Sequence, residues 1–271
     1  MSADDSVFTG AVAKFYETYM VPLIFEPYAE PAVRRALAPD VADVLEIAAG
    51  TGVVTRALAL ASDERVRIVA TDLNQAMLDQ AAAIGTARPV RWRQADAMRL
   101  PFADASFDAV VCQFGAMFFP DRVTAFAQAR RVLRPGGRFV FSTWDRIEDN
   151  EFADTVTAAM ASVFPSDPPR FLARTPHGCH DISEITRDLA QAGFGTSPRI
   201  DTVTARSRAD SARTPAVAYC HGTPLRDEIE ARGDLDQATS AAEQALTERF
   251  GSGPVDGRIQ AHIVTVVNTP L

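Results

Sequence analysis

The sequence predicts an α/β fold built on a doubly wound, mostly parallel sheet, and three observations predict it. Apolar runs of strand length alternate with segments of helical period along most of the chain. The first run, residues 44–49, passes through a turn of small residues (Ala48, Ala49, Gly50, Thr51, Gly52) straight into a helical segment. An acid, Asp72, closes the second run twenty residues past Gly52. Strand, small-residue turn, helix and acid make up the first unit of a nucleotide-binding α/β domain. The glycines let the backbone close on a ligand, the helix start offers free N–H groups, and the acid holds ribose hydroxyls.

In chain order, residues 8–20 read as a helix, with Phe8, Val12, Phe15 and Tyr19 along one face, and 32–37 as a second that Pro39 stops. Strands are expected at 44–49, 66–71, 90–95, 107–113 and 138–143, with helices at 53–61, 75–84 and 123–133. The link 98–106 is too short for a crossover helix. Residues 183–191 form the next expected helix, with Gly193 just past its end, followed by strands at 199–205 and 258–267. That makes seven strands. Two segments fall outside the pattern. In 146–181, Pro165, Pro168 and Pro169 forbid one continuous helix, and 211–250 holds two or three helical stretches, notably 236–250. Their position beside a cofactor site makes them expected helical lid or substrate insertions on a single domain, with 1–40 as an N-terminal helical segment.

The order of motifs separates the cofactor classes. Gln94-Ala95-Asp96-Ala97 ends the third strand, Leu100-Pro101-Phe102 follows, Ser106-Phe107-Asp108-Ala109 opens the fourth, and Arg134-Pro135-Gly136-Gly137 opens the fifth. This set resembles the class I S-adenosylmethionine (SAM) methyltransferases, in particular the methyltransferase type 11 group with the ubiquinone/menaquinone biosynthesis C-methyltransferases. The resemblance is specific over about residues 40–145. A nicotinamide-dependent oxidoreductase is the weaker reading, because the third glycine of its fingerprint is Thr55 here. A SAM-binding regulatory or scaffold protein without activity is the other alternative.

The resemblance implies a Rossmann-like sheet whose third and fourth strands lie on either side of the first, and whose last strand inserts antiparallel. It also implies that SAM is held by Glu46, Ala48, Gly50, Gly52, Asp72, Leu73, Met77, Asp96, Ala97, Gln113 and Phe114. Glu46 would support the turn and the methionine end, and Asp72 the ribose. Asp96 and the Ala97 backbone would read the adenine, with Leu73 and Met77 lying against it. Gln113 and Phe114 would stand by the sulfonium. Tyr16 or Tyr19 would cover the methyl site. The tetrad that nucleobase amino-methyltransferases carry after the fourth strand is absent, since Gln113-Phe114-Gly115-Ala116 stands there.

A net charge of −8 gives no electrostatic case for nucleic acid. Three scattered cysteines make no disulfide framework, and Cys179-His180 and Cys220-His221 lack metal-site spacing, so no metal is expected. No apolar run reaches membrane-span length and the N-terminus lacks a signal core, so the expected setting is cytoplasmic. A histidine could take a proton from the acceptor, with His180 the first candidate ahead of His177 and His221. Phe118, Phe119, Phe152, Phe164 and Phe171 lie in or beside the proposed lid. The expected reaction is therefore methyl transfer to a small, partly apolar organic molecule, with O, N or C left undecided and a homodimer left open.

Overall fold

The computed structural model describes residues 10–269. Seven strands form one sheet: β1 (Asp43–Glu46), β2 (Arg67–Asp72), β3 (Arg91–Gln94), β4 (Phe107–Gln113), β5 (Leu133–Trp144), β6 (Arg199–Ala209) and β7 (Val255–Val267). Their spatial order is β3-β2-β1-β4-β5-β7-β6, with β7 antiparallel between β5 and β6 and the rest parallel. The helices are α1 (Gly10–Phe15), α2 (Glu26–Ala36), α3 (Val53–Ala61), α4 (Gln75–Ile84), α5 (Arg122–Val132), α6 (Glu151–Val163), α7 (Phe171–Arg174), α8 (Ile182–Gln191), α9 (Arg213–His221), α10 (Leu225–Glu230) and α11 (Leu235–Phe250).

Successive side chains of a strand point to opposite faces, and here both faces are covered. Val44, Ile68, Ala109, Val111 and Val140 pack in one core with Val33, Val54 and Leu58. Leu45, Val110, Phe139 and Phe141 pack in the other with Phe126, Ala129 and Leu189. This explains the unbroken apolar runs in the sequence. Three helices start on an aspartate whose side chain accepts a backbone N–H: Asp121 for α5, Asp181 for α8 and Asp234 for α11.

Several boundaries differ from the sequence expectation, each for a local reason. The first strand ends at Glu46 instead of 49, because Ala48 turns the chain with a left-handed φ of 54°. The fifth strand begins at Leu133 instead of 138, because Arg134-Pro135-Gly136-Gly137 bulges within it. Gly136 has φ +81°, and a Cβ on Gly137 would sit 2.9 Å from the carbonyls of Arg134 and Asp108. The N-terminal helix does not stop at Met20. Pro22 removes one donor from a regular ladder, and the chain winds through wide π-type turns over Tyr16–Phe25 before α2. The expected helix start at Phe8 and the Val12 side chain lie outside the described residues. Among those residues, no helix is long and apolar enough to cross a membrane.

The N-terminal edge of the sheet is tied by one charge cluster. Arg134 donates to Asp108 at 2.6 Å and to Asp43 at 2.9 Å, and Asp43 also takes Arg67 at 2.6 Å. The other Asp108 oxygen accepts the Ala42 and Asp43 N–H groups at 2.9 and 2.8 Å. Burial raises the Asp108 pKa, but Arg134 and these N–H groups outweigh it, so the carboxyl lies below its ordinary value. A depressed folded-state pKa means stability present at neutral pH that is lost as pH falls through that value. Asp108→Ala is therefore expected to lower stability by about 2 kcal/mol at pH 7, discounted for partial solvent exposure. The deficit should shrink towards pH 3. Thermal unfolding of both proteins at pH 7 and pH 3 checks this, and an equal deficit at both would contradict it.

Candidate functional site

The C-terminal ends of β1, β2, β4 and β5 meet at one edge of the sheet, where loops leave the strands in opposite directions. The turn after β1 stays tied to its neighbours: the Ile47 N–H donates to Val111 and the Ala49 N–H to Thr71. Ala48, Gly50 and Gly52 all have positive φ, so three of five residues are left-handed. Gly50 and Gly52 adopt this freely, whereas Ala48 holds it at a cost of roughly 1 kcal/mol. Gly115 beside it has to lack a side chain, because a Cβ there would stand 2.5 Å from the Ala48 Cβ.

Two buried acids hold this turn. Asp72 at the end of β2 accepts the Gly50 N–H at 2.8 Å on one oxygen and the Asn74 N–H at 2.8 Å on the other. Burial nevertheless pushes its carboxyl above the ordinary range. Glu46 lies behind the turn, fully buried, and accepts the Thr55 hydroxyl of α3 at 2.5 Å. Burial drives its pKa up to about 8, with the Asp72 charge adding to the rise and Thr55 opposing it.

A cavity of about 240 Å³ opens above this edge. Ten of the residues that the resemblance assigned to SAM and the methyl site line it: Tyr16, Ala48, Gly50, Asp72, Leu73, Met77, Asp96, Ala97, Gln113 and Phe114. Leu73, 49% exposed, stands at its rim, and Met77 is buried in its wall. Asp96 uses one oxygen to cap the turn Ala97–Arg99 through the Met98 N–H. Gln113 donates to the Phe25 carbonyl at 3.1 Å, and its Oε1 is buried with no hydrogen-bond partner among the described residues.

Three of the expected site residues stand outside the cavity. Glu46 and Gly52 do not line the cavity. Glu46 braces the turn from behind, and Gly52 is where α4 and β3 close in, a Cβ there meeting Ala81 and Trp92 at 3.1 Å. His180 is exposed and outside the cavity, its Nδ1 bonded to the His177 carbonyl at 2.8 Å. The buried His177 lines the cavity instead. His221 also stands outside the lining, bonded to Thr239. Adjacent residues in a loop point apart, and the sequence held no signal for which histidine faces inward.

Phe118, Phe119 and Phe171 line the cavity, whereas Phe152 packs on Phe250 and Phe164 lies elsewhere. The neighbours Phe118 and Phe119 both reach it because Ala116–Phe118 is a tight helical turn and not an extended strand. Sequence reasoning missed Phe25, Trp144, Asn150 and Tyr219, which complete the wall. Rings run along it in sequence: Tyr16 to Phe25 at 5.1 Å, Phe25 to Phe114 at 5.6 Å, Phe114 stacked on Trp144 at 3.9 Å, and Trp144 to His177 at 6.0 Å. The carboxyl groups of Asp72 and Asp96 mark one end, and the mostly apolar residues of 118–120, 171–176 and 219–224 line the other.

A family model described as a methyltransferase domain matches residues 45–141. The demethylmenaquinone methyltransferase of Mycolicibacterium vanbaalenii is 36% identical over 173 residues, 60% of this chain and 73% of that protein. That of Deinococcus radiodurans is 43% identical over 114 residues, 40% of this chain and 46% of that protein, so the chain spans less than half of that relative's length. Among solved structures, phosphoethanolamine N-methyltransferase 2 of Haemonchus contortus, in complex with S-adenosyl-L-methionine, aligns with a TM-score of 0.60 at 16% identity. The alignment covers 98% of this chain and 59% of that one, a likeness of fold.

The raised Glu46 pKa has a testable sign. The folded state keeps a proton that the unfolded state releases near pH 4.5, so its contribution is complete below that pH and is lost as pH rises through about 8. Glu46→Gln retains an acceptor for Thr55 without an ionisable group. Its stability relative to the parent should therefore improve steadily between about pH 4.5 and 8 and level off above. Urea unfolding across that range checks it, and a difference that does not change with pH would contradict the assignment.

Proposed function

We propose, for a chain that belongs to the class I SAM-dependent methyltransferases of the ubiquinone/menaquinone C-methyltransferase type, that it moves a methyl group from SAM to a small, partly apolar organic acceptor. The observation that carries this reading is a single cavity with a polar, glycine-turn end and an aromatic, apolar end. The residues present fit the cofactor. The left-handed turn brings backbone close to the cavity, and the Gln113 Oε1 on its wall is a buried acceptor without a partner among the described residues.

Asp72 would take the ribose hydroxyls with the lone pairs that Gly50 and Asn74 leave free, and Asp96 the adenine amino group with the oxygen that does not cap its turn. Gln113, with Phe114 and Tyr16, would face the methionine portion, where an oxygen and ring faces suit a cation. Bound SAM supplies a methyl group already activated on a positively charged sulfur. The chain's own task is then to align the acceptor, keep water out and exclude side reactions. Phe118, Phe119, Phe171 and Leu172 supply an apolar chamber for that purpose.

Incubation with radiolabelled SAM and, separately, an organic-soluble metabolite extract, RNA, DNA and a protein lysate tests the reading. Label is expected in the organic extract, and label chiefly in nucleic acid or protein would overturn it. Calorimetry should give heat with SAM and none with NAD. Asp72→Ala should bind SAM at least tenfold more weakly, because one charge-assisted hydrogen bond is worth about 1.5–3 kcal/mol. Unchanged affinity in a folded variant would remove Asp72 from the site.

Residues 146–181 and 211–250 are proposed as the mobile cover of the acceptor end. The motivation is that 171–177 and 219–224 line the cavity and that α6, α9 and α11 pack on one another. Hydrogen exchange should slow in both segments when S-adenosylhomocysteine and the methyl acceptor are added together. Exchange there that ignores both ligands would contradict it.

A further inference from the structure

The acceptor end of the cavity is apolar except for a few groups, and two of those are already engaged. Asn150 donates to the Asp145, Arg146 and Gln260 carbonyls and accepts the Gln260 N–H. Thr223 donates to the Tyr219 carbonyl and accepts the Leu225 N–H. His177 differs. Its Nδ1 lies 2.8 Å from the Asp145 carbonyl oxygen, which can only accept, so Nδ1 carries the hydrogen and Nε2 carries the lone pair. Nε2 has no hydrogen-bond partner among the described residues, while the ring lines the cavity. The carbonyl that orients it is itself fixed. The Asp145 N–H donates to Gln260, extending the pairing of β5 with β7, and the Asp145 carboxylate holds the Gln260 amide at 2.8 Å and faces His262 at 3.3 Å.

We propose that His177 Nε2 is the proton acceptor of the reaction, and that the methyl acceptor therefore presents an O–H or N–H at, or conjugated to, the atom that is methylated. The proposal rests on the methyl-transfer reading above. In the step, the acceptor's electron pair forms the bond to the methyl carbon, and the carbon–sulfur bond breaks with its pair going to sulfur. The acceptor's proton passes to Nε2, and the imidazolium later releases it to solvent. Positive charge thus leaves the sulfonium as it arrives on the ring. A histidine charged beforehand would repel the sulfonium across an apolar chamber. Burial lowers the His177 pKa to about 4 and His180 adds to the lowering, against the Asp145 carbonyl, Glu148 and the Asp145 carboxylate, so the ring stands neutral at pH 7. The Tyr219 hydroxyl, on α9, is a further polar group of this end without a hydrogen-bond partner among the described residues. It is placed to hold the acceptor by a second bond.

His177→Asn tests the proposal, because the asparagine amide can still donate to the Asp145 carbonyl while the Nε2 lone pair is gone. With radiolabelled SAM and the organic-soluble extract, the rate at saturating extract should fall about 100-fold or more at pH 7. S-adenosylhomocysteine affinity by calorimetry should stay within about twofold. The loss should also shrink by about tenfold per pH unit as the acceptor ionises unaided. A rate within threefold of the parent, or a loss equal at every pH, would overturn the proposal. Nitrogen-15 NMR of the histidine-labelled parent gives a reading independent of turnover: His177 should show the neutral, Nδ1-protonated form at pH 7, and a charged ring would overturn the assignment. If the parent labels nothing, the methyl-transfer reading fails and this one with it. If the parent is active and the variant equals it, only the role of His177 fails.

Discussion

The arrangement depends on two carboxyl groups buried within one turn of backbone. Asp72 takes the Gly50 N–H, and so joins the end of β2 to the turn that leaves β1. Glu46 takes the Thr55 hydroxyl, and so joins β1 to α3 behind that turn. Two ionised carboxylates this close would repel strongly in a medium of low dielectric. Burial raises both, but N–H donors oppose the rise at Asp72, whereas Glu46 is driven up to about 8 and so towards its protonated form. With these two in place the turn can keep three left-handed residues, and the loops after β1, β2 and β4 open onto a common space.

The second organising element is aromatic. Phe114 leaves β4 with a left-handed φ of 54° and lies flat against Trp144, the last residue of β5, at an interplanar angle of 8°. That stack joins the two halves of the cavity. Tyr16 and Phe25 continue it towards the glycine turn, and His177 continues it towards α7 and α9. Packed rings present a rigid apolar wall at low entropic cost, which is what exclusion of water and alignment of two reactants require.

The sheet core was legible because strands buried on both faces leave continuous apolar runs, and because the glycine turn is a local signal. Helices α3 and α4 and strand β4 have the expected boundaries for that reason. The polar end of the cavity was legible as well, since its residues come from the βα turns at the ends of β1 to β4. The acceptor end was legible only in part, through Phe118, Phe119 and Phe171. Phe25 arrives from the wide N-terminal turns, Trp144 from the end of β5, His177 from the loop after α7 and Tyr219 from α9, and only tertiary packing brings them together. The different placement of His177 and His180 has the same cause. Three residues apart in a loop, one is buried on the cavity and the other stands in solvent.

The most direct test of the account is a crystal structure of the protein with S-adenosylhomocysteine. The account predicts one molecule in the cavity, its ribose hydroxyls within hydrogen-bond distance of Asp72, its adenine beside Asp96 and Ala97, and its sulfur turned towards Phe114 and the chamber of Phe118, Phe171 and His177. A molecule bound elsewhere, or one whose ribose does not reach Asp72, would contradict it.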